Sequence, residues 1–254
     1  ANIGIAMGSG TDVAKETASM IITDDNFTTI VEGIKEGRTA YNNIRKITLF
    51  LISCGLSEVL IFILSVLNGY NIPLLAIQLL WINIVTDGLQ DIALSFEKSE
   101  KNIMKEKPRN PKESLFSKDL IIEVLILGIT ITIIVFGLWK YLMDRNTDIV
   151  VARSIILMLI VFIQNINVLN CRSEKKSIFK KSLFSNPIII ITILGSMLLQ
   201  IIMSELPITT MFLKVVPLSF STIIKLFVLS LLIIVIFELY KSIYHKINNS
   251  NVKK

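Results

Sequence analysis

Six apolar blocks of membrane-spanning length, separated by short polar stretches, constrain this chain more than any other feature. They cover residues 47–67, 74–96, 120–142, 154–169, 187–206 and 222–240. A helix needs about 20 apolar residues to cross the hydrocarbon core of a bilayer, and each block is close to that length. Hydrophobic residues are 52% of the 254 and charged residues only 18%, whereas soluble domains run near 45–50% and about 25%. The deficit of charge is uneven, because the Lys-rich segments lie between the blocks. The expected fold is mostly α: a polytopic membrane helical bundle of about six spans, with the lipid bilayer as its partner.

Lysine and arginine placement sets the expected orientation. Lys35, Arg38, Arg45 and Lys46 precede the first block. Lys98, Lys101, Lys105, Lys107, Arg109, Lys112 and Lys118 follow the second, and Arg172, Lys175, Lys176, Lys180 and Lys181 follow the fourth. Residues 68–73 carry no basic side chain, and the fifth-to-sixth connection carries only Lys214. With six spans every basic loop falls on one side, so both termini are expected in the cytoplasm of a multi-pass cell-membrane protein. The net charge of +6 comes from these loops. No basic face interleaved with aromatics exists, so a nucleic-acid partner is not expected. Cys54 and Cys171 lie far apart in or beside apolar blocks and read as buried thiols. The single histidine, His245, reads as solvated in a polar tail.

Residues 1–46 read differently. A strand-length apolar run ends at Met7, Gly8-Ser9-Gly10 turns the chain, and a helix is expected from Thr11, with Ser9-x-x-Asp12 as a weak capping box. A second short strand spans residues 19–23, and Asp24-Asp25-Asn26 caps a helix in which Ile30, Val31 and Ile34 recur at helical spacing. The order β-α-β-α is the tail of an α/β domain. Two strands do not make a stable sheet alone, so most of that domain is expected to lie outside this chain. No signal peptide is read at Ala1, and the chain reads as starting inside a domain. The glycine turn does not match G-x-x-x-x-G-K-[ST], and a plain strand-to-helix turn accounts for it.

The second block carries the chemistry. On an α-helix Asn83, Thr86, Asp87, Gln90 and Asp91 fall at i, i+3, i+4, i+7 and i+8, a single face. A charged residue at mid-bilayer costs about 2.5–3.5 kcal/mol on insertion scales, so two carboxylates in one span call for a reason. Gly88 is expected to let the helix unwind and expose carbonyls. The first block adds Glu58, beside Ser57, with Gly55 suited to close helix approach. The short connection 68–73 makes the two blocks antiparallel neighbours, so Glu58 can meet the Asp87 face. Carboxylates, amide carbonyls and a hydroxyl suit a hard cation, and without Cys or His among them a soft transition metal is disfavoured. The competing reading is a polar cluster that only holds helices together. Gln164, Asn165 and Asn167 in the fourth block fit packing and ligation equally. Glu123, Glu205 and Glu238 read as interfacial.

These residues resemble a known family. Ala1-Asn2-Ile3-Gly4-Ile5-Ala6-Met7-Gly8-Ser9-Gly10-Thr11-Asp12-Val13-Ala14-Lys15-Glu16 is similar to the end of the phosphorylation domain of type II P-type ATPases. Asp24-Asp25-Asn26-Phe27 and Glu36-Gly37-Arg38-x-x-Tyr41-Asn42-Asn43 continue the match into a stalk helix. Leu79-Leu80-Trp81-Ile82-Asn83-x-x-Thr86-Asp87-Gly88 looks like the sixth membrane span of the calcium-pump branch, and Lys107-Pro108-Arg109-Asn110-Pro111 like the loop after it. The resemblance implies a haloacid-dehalogenase-like α/β tail, truncated here. It divides the chain into residues 1–46 (end of the phosphorylation domain plus stalk), 47–244 (family spans five to ten) and 245–254 (cytoplasmic tail). It implies an aspartyl-phosphate cycle in which ions bind among spans four, five, six and eight.

By position Glu58 resembles the fifth-span acid ligand, and Asn83, Thr86 and Asp87 resemble the sixth-span ligands. Gln164 stands where reticulum-type calcium pumps carry an eighth-span Glu, and Gly55 where they carry a liganding Asn. Both departures weaken the site between spans five and eight, so one calcium-like ion per cycle is expected rather than two. Asp91 is an added acid on the same face, expected either to exchange protons or to shift selectivity toward another cation. The candidate metal ligands are therefore Glu58, Asn83, Thr86, Asp87, Asp91 and Gln164, and Ca2+ is the leading cargo. Rivals are the same machine for sodium or manganese, and a non-catalytic membrane fragment or passive ion-binding module. The chain has no Asp-Lys-Thr-Gly-Thr or Thr-Gly-Asp-Gly-x-Asn-Asp motif. ATP and Mg2+ are thus expected only in the complete pump with its N-terminal part, and no ATP hydrolysis is expected from this chain alone.

Overall fold

The computed structural model describes residues 3–100, 102–105, 107–109, 114–173 and 177–251, without the side chains of 180 and 245–251. The expectation for His245 therefore lies outside the described residues. The chain forms two compact units, residues 1–42 with 98–111, and residues 43–97 with 112–254.

In the first unit β1 (Ile5–Met7) and β2 (Met20–Ile22) pair in parallel, Ile5 opposite Met20 and Met7 opposite Ile22. The crossover is α1 (Asp12–Thr17). Its N-cap is Thr11, whose hydroxyl accepts from Ala14 N–H at 3.3 Å, so the expected Ser9 capping box is not the one used. Asp25 Oδ1 instead accepts from Ser9 N–H at 3.0 Å. An acceptor carboxylate already occupies the glycine turn, in keeping with a structural rather than a phosphate-binding role. Asn26 begins the next helix by accepting from Thr28 N–H at 3.0 Å, and α2 (Thr28–Leu67) then runs for 40 residues without a break.

The second unit is helical. The second block is not one helix. It comprises α3 (Ala76–Ile82), a π-helical turn at Asn83–Asp87 and α4 (Gly88–Ser95). There follow α5 (Lys118–Asp144), α6 (Ile149–Cys171), α7 (Pro187–Glu205), α8 (Pro207–Leu213), α9 (Phe220–Ser230) and α10 (Leu232–Asn251). Ser117 and Asp148 cap α5 and α6 by accepting from backbone N–H groups of their first turns, and Pro187 starts α7. Among the described residues five stretches are long and apolar enough to cross a membrane: α2, α5, α6, α7 and the joined Phe220–Tyr244. The second block is absent from that set because the π turn divides it.

The unit is built inside out relative to a soluble protein. Gln78, Thr86, Gln90, Gln164, Asn165, Asn167 and Ser196 are fully buried, while Ile133, Ile191 and Leu194 are more than 60% exposed. Such an arrangement is stable in lipid, where apolar surface needs no cover and polar side chains seek each other. The most buried helix is α6, with Ile156, Leu157, Leu159, Ile163 and Val168 in the core. Close helix approach occurs at Gly128 of α5, where an added Cβ would stand 2.8 Å from Leu56 Cδ2 and 3.2 Å from the Ser53 carbonyl. Gly55 has open space at that position, so the close approach expected of it is made by Gly128 instead. Cys54 and Cys171 are buried and form no disulfide.

Candidate ion-binding site

The π turn is what distinguishes the second block. Gly88 N–H reaches back five residues to the Asn83 carbonyl, with Gly88 itself in ordinary right-handed helical geometry. The helix is therefore widened rather than unwound, which corrects the expectation placed on Gly88. A turn with one extra residue also shifts the helical phase by roughly 100°. As a result the five polar residues do not share a face: Asn83 is exposed, Thr86 and Gln90 are fully buried, and Asp87 and Asp91 are half-buried.

Thr86 is the centre of the buried set. Its Oγ1 lies 2.6 Å from Gln164 Oε1, 2.7 Å from the Ile82 carbonyl and 3.4 Å from Asp87 Oδ1. Gln164 Nε2 donates onward to Glu58 Oε1 at 2.9 Å. Thus α2, the π turn and α6 are linked by a chain Glu58–Gln164–Thr86. A threonine hydroxyl has one proton, and three acceptor oxygens converge on it. The Thr86 proton serves only one of them at a time, and carboxylate, amide and carbonyl oxygens are the donor types a hard cation takes. Magnitudes separate this from simple helix glue. Interhelical hydrogen bonds in membranes average about 0.6 kcal/mol and reach about 1.7, less than the about 2.5–3.5 kcal/mol cost of a buried charge. One bond from Gln164 does not explain why Glu58 is there.

Not every expected ligand joins. Asn83 is exposed, and its side chain makes no hydrogen bond among the described residues. Asp91 stands apart too, with its Oδ1 buried and unpartnered among the described residues. No group of three or more His, Cys, Asp or Glu side chains suited to a metal occurs among the described residues; the oxygens gathered here are mostly neutral. Of the fourth-block amides, Asn165 is glue: its Oδ1 accepts from Gln90 Nε2 at 2.6 Å and from the Ser196 hydroxyl, and its Nδ2 donates to the Val161 carbonyl at 2.7 Å. Asn167 reaches Ser53 Oγ at 3.4 Å. Glu123 is buried near the start of α5, and Glu205 is exposed at the end of α7. Glu238 accepts from Ile178 N–H at 2.9 Å.

Two features escaped the sequence reading. Thr192 donates to Gln90 Oε1 at 2.9 Å and Gln200 Oε1 accepts from Trp81 Nε1 at 2.7 Å. With Ser196 these recur every fourth residue of the fifth block, a polar stripe that helical periodicity could have revealed. The second is Glu97, just beyond the second block. It is fully buried, with Lys181 Nζ 2.7 Å from its carboxylate and Arg172 paired to both its oxygens at 3.2 Å.

Comparison with known proteins agrees with this architecture. A family model described as "Cation transporting ATPase, C-terminus" matches residues 71–243. The chain is 40% identical over 209 residues to the "Calcium-transporting ATPase" of Bacillus subtilis (strain 168), covering 82% of this chain and 23% of that protein. It is 38% identical over 213 residues to the human "Calcium-transporting ATPase type 2C member 1", again 82% and 23%. A Synechocystis "Cation-transporting ATPase pma1" is 33% identical over 228 residues, 87% of this chain and 25% of the relative. The chain thus spans about a quarter of the length of the curated relatives it matches. It is a multi-pass membrane protein segment, and it belongs to the cation-transporting ATPase C-terminus family, the C-terminal part of the type II P-type cation ATPases.

Proposed function

We propose that this chain is the six-span membrane part of an ATP-driven pump that exports calcium, with both termini cytoplasmic. In this reading residues 1–46 are the end of a haloacid-dehalogenase-like phosphorylation domain plus its stalk, residues 47–244 hold the spans, and residues 245–254 form the tail. α3, the π turn and α4 together make the second span. The observation that carries the proposal is the Glu58–Gln164–Thr86 chain beside Asp87 at the π turn. Relatives named as calcium-transporting ATPases support the choice of cargo.

Each residue has a defined task. Thr86, Asp87 and the Ile82 carbonyl supply oxygens at the π turn, and Asn83 presents its amide on the exposed side of the same helix. Glu58 supplies the charge from the first span. Gln164 holds Glu58 and Thr86 together, and its amide fills with protein hydrogen bonds the space a second ion would need. One ion per cycle follows. Asp91, with a buried oxygen unpartnered among the described residues, takes a proton when the ion leaves. ATP and Mg2+ act in the complete pump, in parts other than this chain.

The test is ATP hydrolysis by the complete pump in membranes across Ca2+, Mn2+ and Na+. Activation by micromolar Ca2+, lost at least a hundredfold in affinity in Asp87→Asn, is expected; activation by no cation defeats the proposal. Asp91 favours a second reading, the same machine moving another cation. Asp91→Ala should change ion preference or the pH dependence of activation, and unchanged values for both remove Asp91 from the site.

A further inference from the structure

Glu97 sits at the junction of four helices without being near the ion oxygens. It follows α4 directly, eleven residues beyond Thr86, or about 16 Å along a helix. Its carboxylate is taken by Arg172 from the end of α6, by Lys181 from the following loop, and by Asn186 Nδ2 at 3.2 Å from the start of α7. Its backbone carbonyl accepts from Asn43 Nδ2 of α2 at 2.8 Å, and Asn43 Oδ1 in turn accepts from Lys46 Nζ at 3.0 Å. Asn186 also donates to the Ala93 carbonyl of α4 at 2.9 Å, and Arg172 to Ser182 O and Ser185 Oγ. The side chain of Glu97 is fully buried, Arg172 is 2% exposed and Lys181 18%.

We infer that Glu97 is a positioning residue for cation binding: it clamps one end of the three helices that carry Glu58, Thr86 and Gln164 and so fixes their relative register. The inference rests on the pump reading above. Stability alone is a poor reason for such a cluster, because buried ion pairs are often matched or surpassed by apolar residues of similar volume. What an apolar plug does not supply is direction. A bidentate guanidinium–carboxylate pair fixes distance and angle together, and here it does so between α4 and α6. The hydrogen-bonded Thr86–Gln164 pair joins the π turn that leads into α4 to the same α6, and it tolerates only a few tenths of an ångström before its 2.6 Å contact is lost. A slide of either helix at the Glu97 end would separate the oxygens without touching any of them.

The experiment uses the complete pump in membranes, with Glu97→Asp and Lys181→Met. Glu97→Asp keeps the charge that Arg172 needs but shortens the reach by one methylene. Lys181 is partly exposed, so its substitution leaves the Glu97–Arg172 pair in place and tolerates folding. Half-saturating Ca2+ for ATP hydrolysis, equilibrium binding of radioactive calcium without ATP, KM for ATP and the thermal midpoint are measured on the same preparations. The expected result is a rise of at least tenfold in half-saturating Ca2+ for Glu97→Asp and about threefold for Lys181→Met. Calcium binding should weaken in parallel, with KM for ATP within twofold of wild type. A purely structural role predicts a lower thermal midpoint with unchanged calcium affinity, and that outcome overturns the inference. If Glu97→Asp yields no folded protein, unchanged affinity in Lys181→Met overturns it alone. Failure of the pump reading is told apart because wild-type protein then shows no cation activation before any substitution, and the inference falls with it.

Discussion

Single residues in this chain have unequal leverage, and Gln164 and Gly128 show why. Gln164 is fully buried and spends its amide on two partners, donating to Glu58 and accepting from Thr86. Gln164→Leu removes both bonds at nearly constant volume. It is expected to weaken calcium activation of the complete pump at least tenfold while costing about 1–3 kcal/mol of stability, the penalty for stranded buried polar groups. Calcium titration and thermal unfolding of the same sample separate the two effects. Gln164→Glu should instead raise bound calcium per phosphorylation site from one toward two, which equilibrium binding measures. Gly128 matters through contact with Leu56 and the Ser53 carbonyl. Gly128→Ala forces α5 and α2 apart and should cost about 1–3 kcal/mol, as over-packing does, whereas Gly55→Ala meets open space and should leave the melting temperature unchanged.

At the scale of elements, the π turn and the charged end of α4 set the behaviour. Deleting Ile84, which is exposed, removes the extra residue and restores an α-helix. The phase between α3 and α4 then changes by roughly 100°, and Trp81–Gln200 and Gln90–Asn165 no longer form together. Loss of cation-activated hydrolysis in a protein that still inserts into the membrane is the expected outcome. The opposite result, full activity after deletion, would remove the π turn from the site. Glu97 gives a pH signature. Burial alone pushes its carboxyl up, but the Arg172 and Lys181 hydrogen bonds and charges outweigh it and hold the group below the ordinary value of 4.5. Its folded-state pKa is depressed, so the stabilisation is complete above the unfolded value and is lost as pH falls through the folded one. Thermal midpoints should be flat above about pH 5 on this account, with a decline below about pH 4.5 that Lys181→Met shifts upward.

Considered as a whole molecule, the chain stands on a topology that a labelling experiment decides. Cys54 and Cys171 are buried, so cysteines introduced at Asn71 and Ser177 report against a low background. A membrane-impermeant thiol reagent added to intact cells should label Asn71→Cys and not Ser177→Cys; labelling of both or of Ser177→Cys alone would refute the six-span orientation. The helical organisation was legible because lipid imposes a simple rule: about 20 apolar residues per crossing. The fourth block shows the limit of that rule. Hydropathy placed it at residues 154–169, whereas α6 spans Ile149–Cys171, because Ser154 and Asn170 are polar side chains buried by neighbours rather than span ends. Ser154 Oγ accepts from Val216 N–H at 2.9 Å, a partner 62 positions away.

The sequence by itself determined that this chain builds a helical membrane bundle, that acids and amides lie within it at Glu58, Thr86–Asp91 and Gln164, and which family it resembles. These follow from composition and short-range spacing, which are local properties of the chain. Only the tertiary structure decided which oxygens meet. A helical wheel assumes 3.6 residues per turn, and one π turn defeated it by turning Asn83 away from Thr86. Likewise the pairing of Glu58 with Thr86 through Gln164, and of Glu97 with Arg172, joins residues 75 to 106 positions apart. Such contacts depend on how three or four helices pack, and the packing is fixed by side-chain shape and buried hydrogen bonds that no single segment encodes.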